Sequence, residues 1–377
     1  MIGLHAGTVV TCSGAPDDGA PGWVVIDGDR IAAVGPEPPR VAERVELGDV
    51  QLWPGIVDLH ADSLGRFASP RPGTHVPIDA AVYDFALDAM THGSCRPYLC
   101  VSVGEGPDPV AVRNRARDII HTVERLATVL PVPLAVHLRV DIGSDGHLTD
   151  ARNLLAEFPK TIRLISAMDH TPGRGQYRSA DAWRAAMRTR TGAGDPALAE
   201  WLAWLPTDPG LVRQRRRAAA VLAREHAIPF ASHDDETADA ARAAAADGAV
   251  ISEFPLTADA AAAAHAAGLT VVMGAPNAWR GHSHLTGLSA REALRAGTLD
   301  ALTSDYHGAA MVRAVTVLAD GLCPLPDAVR LVTAGPAAAA GLNTGLVAAG
   351  APADLIAVRV APVAAVVGCW VAGTRVR

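Results

Sequence analysis

The chain has 377 residues, 49% of them hydrophobic, which is ample for a large core and more than one small domain needs. Its formal net charge of −7 argues against nucleic acid or an anionic membrane as a partner. Its five cysteines, Cys12, Cys95, Cys100, Cys323 and Cys369, are odd in number and form no CxxC pair, which argues against a disulfide framework or a cysteine zinc site and suits a reducing cytoplasm. The opening MIGLHAGTVV lacks a basic region and a long apolar run, so no signal peptide is expected. The Ala-rich stretch 238–268 is interrupted by Asp239, Arg242, Asp247, Glu253 and Asp259, so it is no membrane helix.

In chain order, residues 1–50 read as short strands with tight turns, as in WVVIDGDRIAAVG. Eight apolar strand candidates follow: IVDLHAD (56–62), RPYLCVSV (96–103), LAVHLRVDI (134–142), IRLISAMD (162–169), IPFASHD (228–234), AVISEFP (249–255), LTVVMGAP (269–276) and DALTSDY (300–306). Several are near-continuous apolar runs, as strands buried on both faces of a parallel sheet are. Longer Ala-, Arg- and Leu-rich helical patterns alternate with them. Eight such units predict an α/β fold with a (β/α)₈ TIM-like barrel over 51–344. No GxGxxG turn follows an early strand, which disfavours a doubly wound sheet. Residues 345–377 are again β-rich, so 1–50 and 345–377 are expected to pair into one small β-sandwich domain. HTPGRGQYRSADAW (170–183) opens a stretch too long for an ordinary βα loop and predicts a lid or extra helices. RQRRR (213–217) reads as the solvated face of a helix.

Functional groups of such a barrel sit at the C-terminal ends of its strands. In PGIVDLHAD, alternation sends His60 and Asp62 to the same side. The third strand ends in His137, Arg139 and Asp141, the fourth in Asp169 and His170, the fifth in His233, Asp234 and Asp235, the eighth in Asp305. Any one of these histidines alone would be read as a satisfied core or rim residue. As a set, imidazoles and carboxylates converging on one rim predict a site for a divalent ion. Such an ion lowers the pKa of water towards neutral and makes hydroxide available. Asp305 could bind the ion or take the proton from that water.

A second constellation is cationic and Gly-rich: SPRPG (69–73), HTPGRGQ (170–176) and NAWRGHSH (277–284). It places Arg71, Arg139, Arg174, Arg280, His282 and His284 at the same rim as candidate contacts to phosphate oxygens. The competing reading is that these arginines are surface residues or pair with the carboxylates of the metal site.

Together PGIVDLHAD, SPRPG, HLRVD, SAMDHTPGRGQ, ASHDDET, ISEFPLTADAA, VMGAPNAWRGHSH and LTSDY resemble the amidohydrolase superfamily. Within it they look like the diphosphatase branch that serves bacterial carbon–phosphorus lyase metabolism. The resemblance implies a centre of one or two divalent ions, zinc or else manganese, iron or nickel, held by His60, Asp62, Asp141, His170, His233 and Asp305. It implies catalytic roles for Asp305 and His170. It further implies a small phosphorylated substrate, a ribose triphosphate phosphonate or a relative of it, losing pyrophosphate to hydroxide attack. Ser63, Gly65 and Asp141 depart from the pattern of that branch and point to a divergent member. A homo-oligomer is expected. Two alternatives stay open: an amidohydrolase cutting C–N bonds, and a non-catalytic binder of a phosphorylated ligand.

Overall fold

The computed structural model describes all residues except 15–17, 72, 105, 107, 176, 178, 207 and 284–286. The eight apolar runs all form strands: β7 (Ile56–Ala61), β8 (Ser94–Val103), β9 (Ala135–Asp141), β10 (Ile162–Met168), β11 (Phe230–His233), β12 (Ile251–Glu253), β13 (Thr270–Gly274) and β14 (Ala301–Thr303). They hydrogen-bond in chain order as one parallel sheet. The sheet curls until its ends meet, with a parallel bridge between Ala61 and Asp305. Asp305 N–H donates to the His60 carbonyl at 2.9 Å, and Asp62 N–H to the Asp305 carbonyl at 2.7 Å. Asp58 fastens the seam: buried on β7, it accepts from the Thr303 hydroxyl at 2.6 Å and from Ser304 N–H at 3.0 Å.

Two layers of apolar packing hold the barrel. Its interior is filled by Val57, Leu59, Leu164, Ile251, Val272 and Ala301, from alternating positions of different strands. The outer faces of the strands meet the apolar stripes of the surrounding helices in a second, larger cluster. In the helix Pro209–Glu225, Arg213, Gln214 and Arg217 of RQRRR are exposed as expected, but Arg215 turns inward. Val212, Arg215, Ala219 and Leu222 share its inner face, and Arg215 is only 9% exposed. Its guanidinium donates to the Gly143 carbonyl and to both oxygens of Asp145, while Arg216 and Arg217 hold Asp247. These three arginines clamp neighbouring loops and helices, because carboxylates and a carbonyl lie within reach of them.

The chain ends build two further sheets. One has the order β4 (Arg30–Gly35), β3 (Gly22–Asp27), β1 (Ile2–Ala6), β5 (Glu43–Glu46). The other has β17 (Thr374–Arg375), β16 (Ala365–Val371), β15 (Leu355–Arg359), β6 (Gln51–Pro54), β2 (Thr8–Val9). Leu4, Val24 and Ile31 from one end pack with Leu355 and Trp370 from the other. The end region therefore extends to Pro54, four residues beyond the expected boundary, because β6 pairs antiparallel with β15.

After β10 the long insertion forms two helices, Ala180–Thr191 and Asp195–Trp204. They enclose a small core of their own, Tyr177, Trp183, Met187, Leu198 and Trp201. No helix among the described residues is long and apolar enough to cross a membrane.

Candidate metal centre and active site

A cavity of about 310 Å³ opens at the C-terminal ends of the strands. His60, Asp62, Arg139, His233, Asp234 and Asp305 line its inner part. These side chains reach it because each closes an apolar strand whose other residues are spent in the core. The backbone turns sharply at three of these ends. Asp234, Phe254 and Asp305 have φ of 58°, 54° and 54°. Non-glycine residues in that region cost on the order of 1–3 kcal/mol each and persist where the surroundings impose them. Here the backbone ladder imposes them: Asp234 N–H donates to the Glu253 carbonyl and Phe254 N–H to the Val272 carbonyl, both at 2.9 Å.

Two of the inner groups, with Glu253 close by, fit a divalent ion. Ligand atoms of His60, His233 and Glu253 lie within 4.8 Å of one another. His60 is 1% exposed and Glu253 fully buried, with Nδ1 of His60 3.1 Å from Oε1 of Glu253. Nε2 of His233 and Oε2 of Glu253 are buried without a hydrogen-bond partner among the described residues. Buried orphan lone pairs are costly, and a cation would satisfy them. Two imidazoles and a carboxylate are a donor set that zinc takes in hydrolases. His60 is in the neutral form that ligation needs, since burial and the charge of Arg139 hold its pKa well below the usual histidine range. For His233, burial acts in the same direction but loses to Asp234, whose carboxylate stands 3.1 Å from Nδ1 and raises the pKa. That carboxylate can orient the ring while Nε2 faces the site.

Glu253 is absent from the residues expected from sequence. The signal is present in AVISEFP, a lone carboxylate near the end of an apolar strand, the same signal that marks Asp305. A second group of His60, Cys100 and His137 is equally compact but fits a metal poorly. His137 Nδ1 donates to the Leu59 carbonyl at 2.9 Å, and its Nε2 accepts from the Ser166 hydroxyl at 2.8 Å, so both nitrogens are used. Burial of Cys100 pushes its thiol pKa up, away from the thiolate a metal needs.

The other expected ligands are placed differently. Asp62 is turned towards Arg139, with Nη1 2.6 Å from Oδ2. Asp141, only 2% exposed, accepts from Gly143 N–H at 2.7 Å and from Nδ1 of His170 at 3.0 Å. A side chain on Gly143 would press on that carboxylate, since an added Cβ would stand 2.8 Å from Oδ1. Asp141 thus orients His170, and neither lines the cavity. Asp305 does line it, partly exposed, its carboxyl raised to about 7 by burial and by the charge of Asp62.

The cationic residues do not gather at one point among the described residues. Arg280 lines the cavity, with Nη1 3.5 Å from the Tyr306 hydroxyl. Arg139 lines it while paired with Asp62. Arg174 donates to the Pro206 carbonyl, faces Asp169 and lines an adjoining cavity of about 210 Å³. Arg71 is exposed and outside both cavities. His282 is exposed and bonded to the Ser283 carbonyl, and His284 lies outside the described residues. Loop arginines take whatever carboxylate or carbonyl is near, and nothing in the sequence specifies which. The outer wall of the cavity is apolar, from Phe254, Pro255, Leu256, Met273 and Leu288.

Comparison with known proteins gives the family and the fold. The amidohydrolase family matches residues 211–376. Alpha-D-ribose 1-methylphosphonate 5-triphosphate diphosphatase of Escherichia coli (strain K12) is 30% identical over 342 residues, covering 89% of this chain and 90% of the relative. N-acetyl-D-glucosamine-6-phosphate deacetylase from Mycobacterium smegmatis has a TM-score of 0.64 at 23% identity, over 100% of both chains. Guanine deaminase from C. acetobutylicum has a TM-score of 0.64 at 11% identity, over 99% of both. At those identities the two structures share the fold. With a sequence relative this similar along most of its length, the chain belongs to the amidohydrolase family, as a hydrolase with a TIM-like barrel.

Proposed function

We propose that this protein is a metal-dependent diphosphatase that cleaves a phosphoanhydride of α-D-ribose 1-methylphosphonate 5-triphosphate, or of a closely related phosphorylated sugar, and releases pyrophosphate. The observation that carries the reading is one cavity lined by His60, His233 and the exposed Arg280, with the buried carboxylate of Glu253 within ligand distance of the two imidazoles. The resemblance to the diphosphatase of Escherichia coli supplies the substrate class.

A divalent ion held by His60, His233 and Glu253 would act as a Lewis acid and make water a nucleophile near neutral pH. The chain does the rest. Asp234 holds the His233 ring in place. Asp305 faces the cavity from the strand beside His60 and receives the proton of the attacking water. Arg280 and Arg139 offer charge-assisted N–H groups to phosphate oxygens, where charge builds as the leaving group departs. The apolar wall limits the water reaching the reacting phosphorus.

One observation favours a second reading, hydrolysis of a C–N bond. Among the described residues only two guanidinium groups line the cavity, one of them already paired with Asp62, which is few for a triphosphate. The test is turnover of the purified protein with added zinc or manganese on the ribose triphosphate phosphonate, nucleoside triphosphates and cyclic amides. Pyrophosphate release from the first is expected. Turnover of an amide alone would transfer the site to the C–N reading, and binding without turnover would make the protein a ligand binder.

A further inference from the structure

We infer that the site holds a single divalent ion, and that Arg139 supplies the second positive charge as a fixed part of the chain. The inference rests on the metal-hydrolase reading and deepens it. Arg139 comes from the end of β9, is 5% exposed, and projects into the cavity beside His60, His233 and Asp305. Its Nη1 is 2.6 Å from Asp62 Oδ2, so it stands beside the two histidines with a charge already in contact with a carboxylate of the cavity.

A second ion would need ligands there. Asp141 offers none, because its two oxygens are used by Gly143 and His170. Asp62 would have to bring a dication within about 2.2 Å of an oxygen of the carboxylate that already holds a guanidinium. Like charges at that separation repel, the guanidinium being buried although Asp62 itself reaches water. A guanidinium cannot be deprotonated in this setting and cannot be removed by a chelator. It also presents a planar fork to an anionic oxygen, a recognition that a metal ion does not provide.

The test is metal stoichiometry, independent of turnover. The protein is stripped with a chelator, reloaded with excess Mn(II), freed of unbound ion and measured by elemental analysis and by electron paramagnetic resonance. One ion per chain with an uncoupled signal is expected for the wild type and for Arg139→Lys, and about two for Arg139→Gln. Two spin-coupled ions in the wild type would overturn the inference and leave the metal-hydrolase reading intact, whereas no bound ion would remove that reading as well. An Arg139→Gln protein that folds and still takes one ion would overturn the role given to Arg139. If that variant does not fold, Asp62→Asn decides. It keeps one ion if the ion sits among His60, His233 and Glu253, and losing the ion would place it at Asp62 and sink the proposal.

Discussion

The floor of the cavity and its rim are built by different means. The floor consists of strand-end residues such as His60 and His233, with Glu253 fully buried close by and paired in the ladder to His233 on one side and Val272 on the other. The rim carries the exposed Arg280 at the end of a short helix, while Arg71 and His282 are exposed on loops outside the cavity. A strand holds a side chain by its alternation and its two neighbours, so a floor residue has one place to go. A loop arginine carries about 2 kcal/mol of rotamer entropy and settles wherever a partner is near. Changes at the floor are therefore expected to act on metal and turnover, and changes at the rim on substrate affinity alone.

The largest effect is expected for Glu253→Gln. Removing a buried ligand should weaken metal binding by more than the roughly 10- to 100-fold seen when only an outer partner is lost, and turnover should fall with it. Elemental analysis after dialysis checks this, with circular dichroism to confirm the fold. A variant that keeps its ion at wild-type affinity would make Glu253 a buried structural carboxylate.

Next comes Asp305→Asn, which keeps the shape and removes the basicity. A drop in kcat of about a hundred- to ten-thousand-fold at saturating metal is expected, without loss of the ion. It is read as pyrophosphate release, and a near-wild-type rate would take Asp305 out of the mechanism.

Arg280→Ala should be milder. A lost charge-assisted contact costs on the order of 1.5–3 kcal/mol, so KM for a triphosphate should rise about ten- to hundredfold with the metal content unchanged. Loss of metal instead would move Arg280 into the support of the floor and blur the division between the two regions. The smallest effect is expected for Arg71→Ala, which lies outside both cavities. Surface changes of this kind stay within roughly 0.5 kcal/mol, a factor of about two in KM. A tenfold rise would bring the loop of Arg71 over the substrate.

The division between floor and rim is also a division in what the sequence makes legible. Period and composition locate β7 to β14, because a buried parallel strand must be apolar along its length. The same rule makes His60, His233 and Asp305 conspicuous, since polar groups ending apolar strands need a reason to be there. Glu253 carries that mark as well, at the end of the apolar run AVISE. Pairing is a different matter. That Asp62 meets Arg139, that Asp141 serves His170, and that Arg215 turns inward all depend on partners 29 to 77 residues away. Nothing local encodes such a meeting.

The amino-acid sequence by itself determined the barrel, the β-rich chain ends and the placing of His60, His233 and Asp305 at strand ends, because burial and strand alternation are local constraints written every second residue. The tertiary structure decided which carboxylate faces a cation and which supports a histidine. It also decided which arginines reach the cavity. Charges choose partners by distance in space, and that distance exists only once the eight strands have closed into a ring.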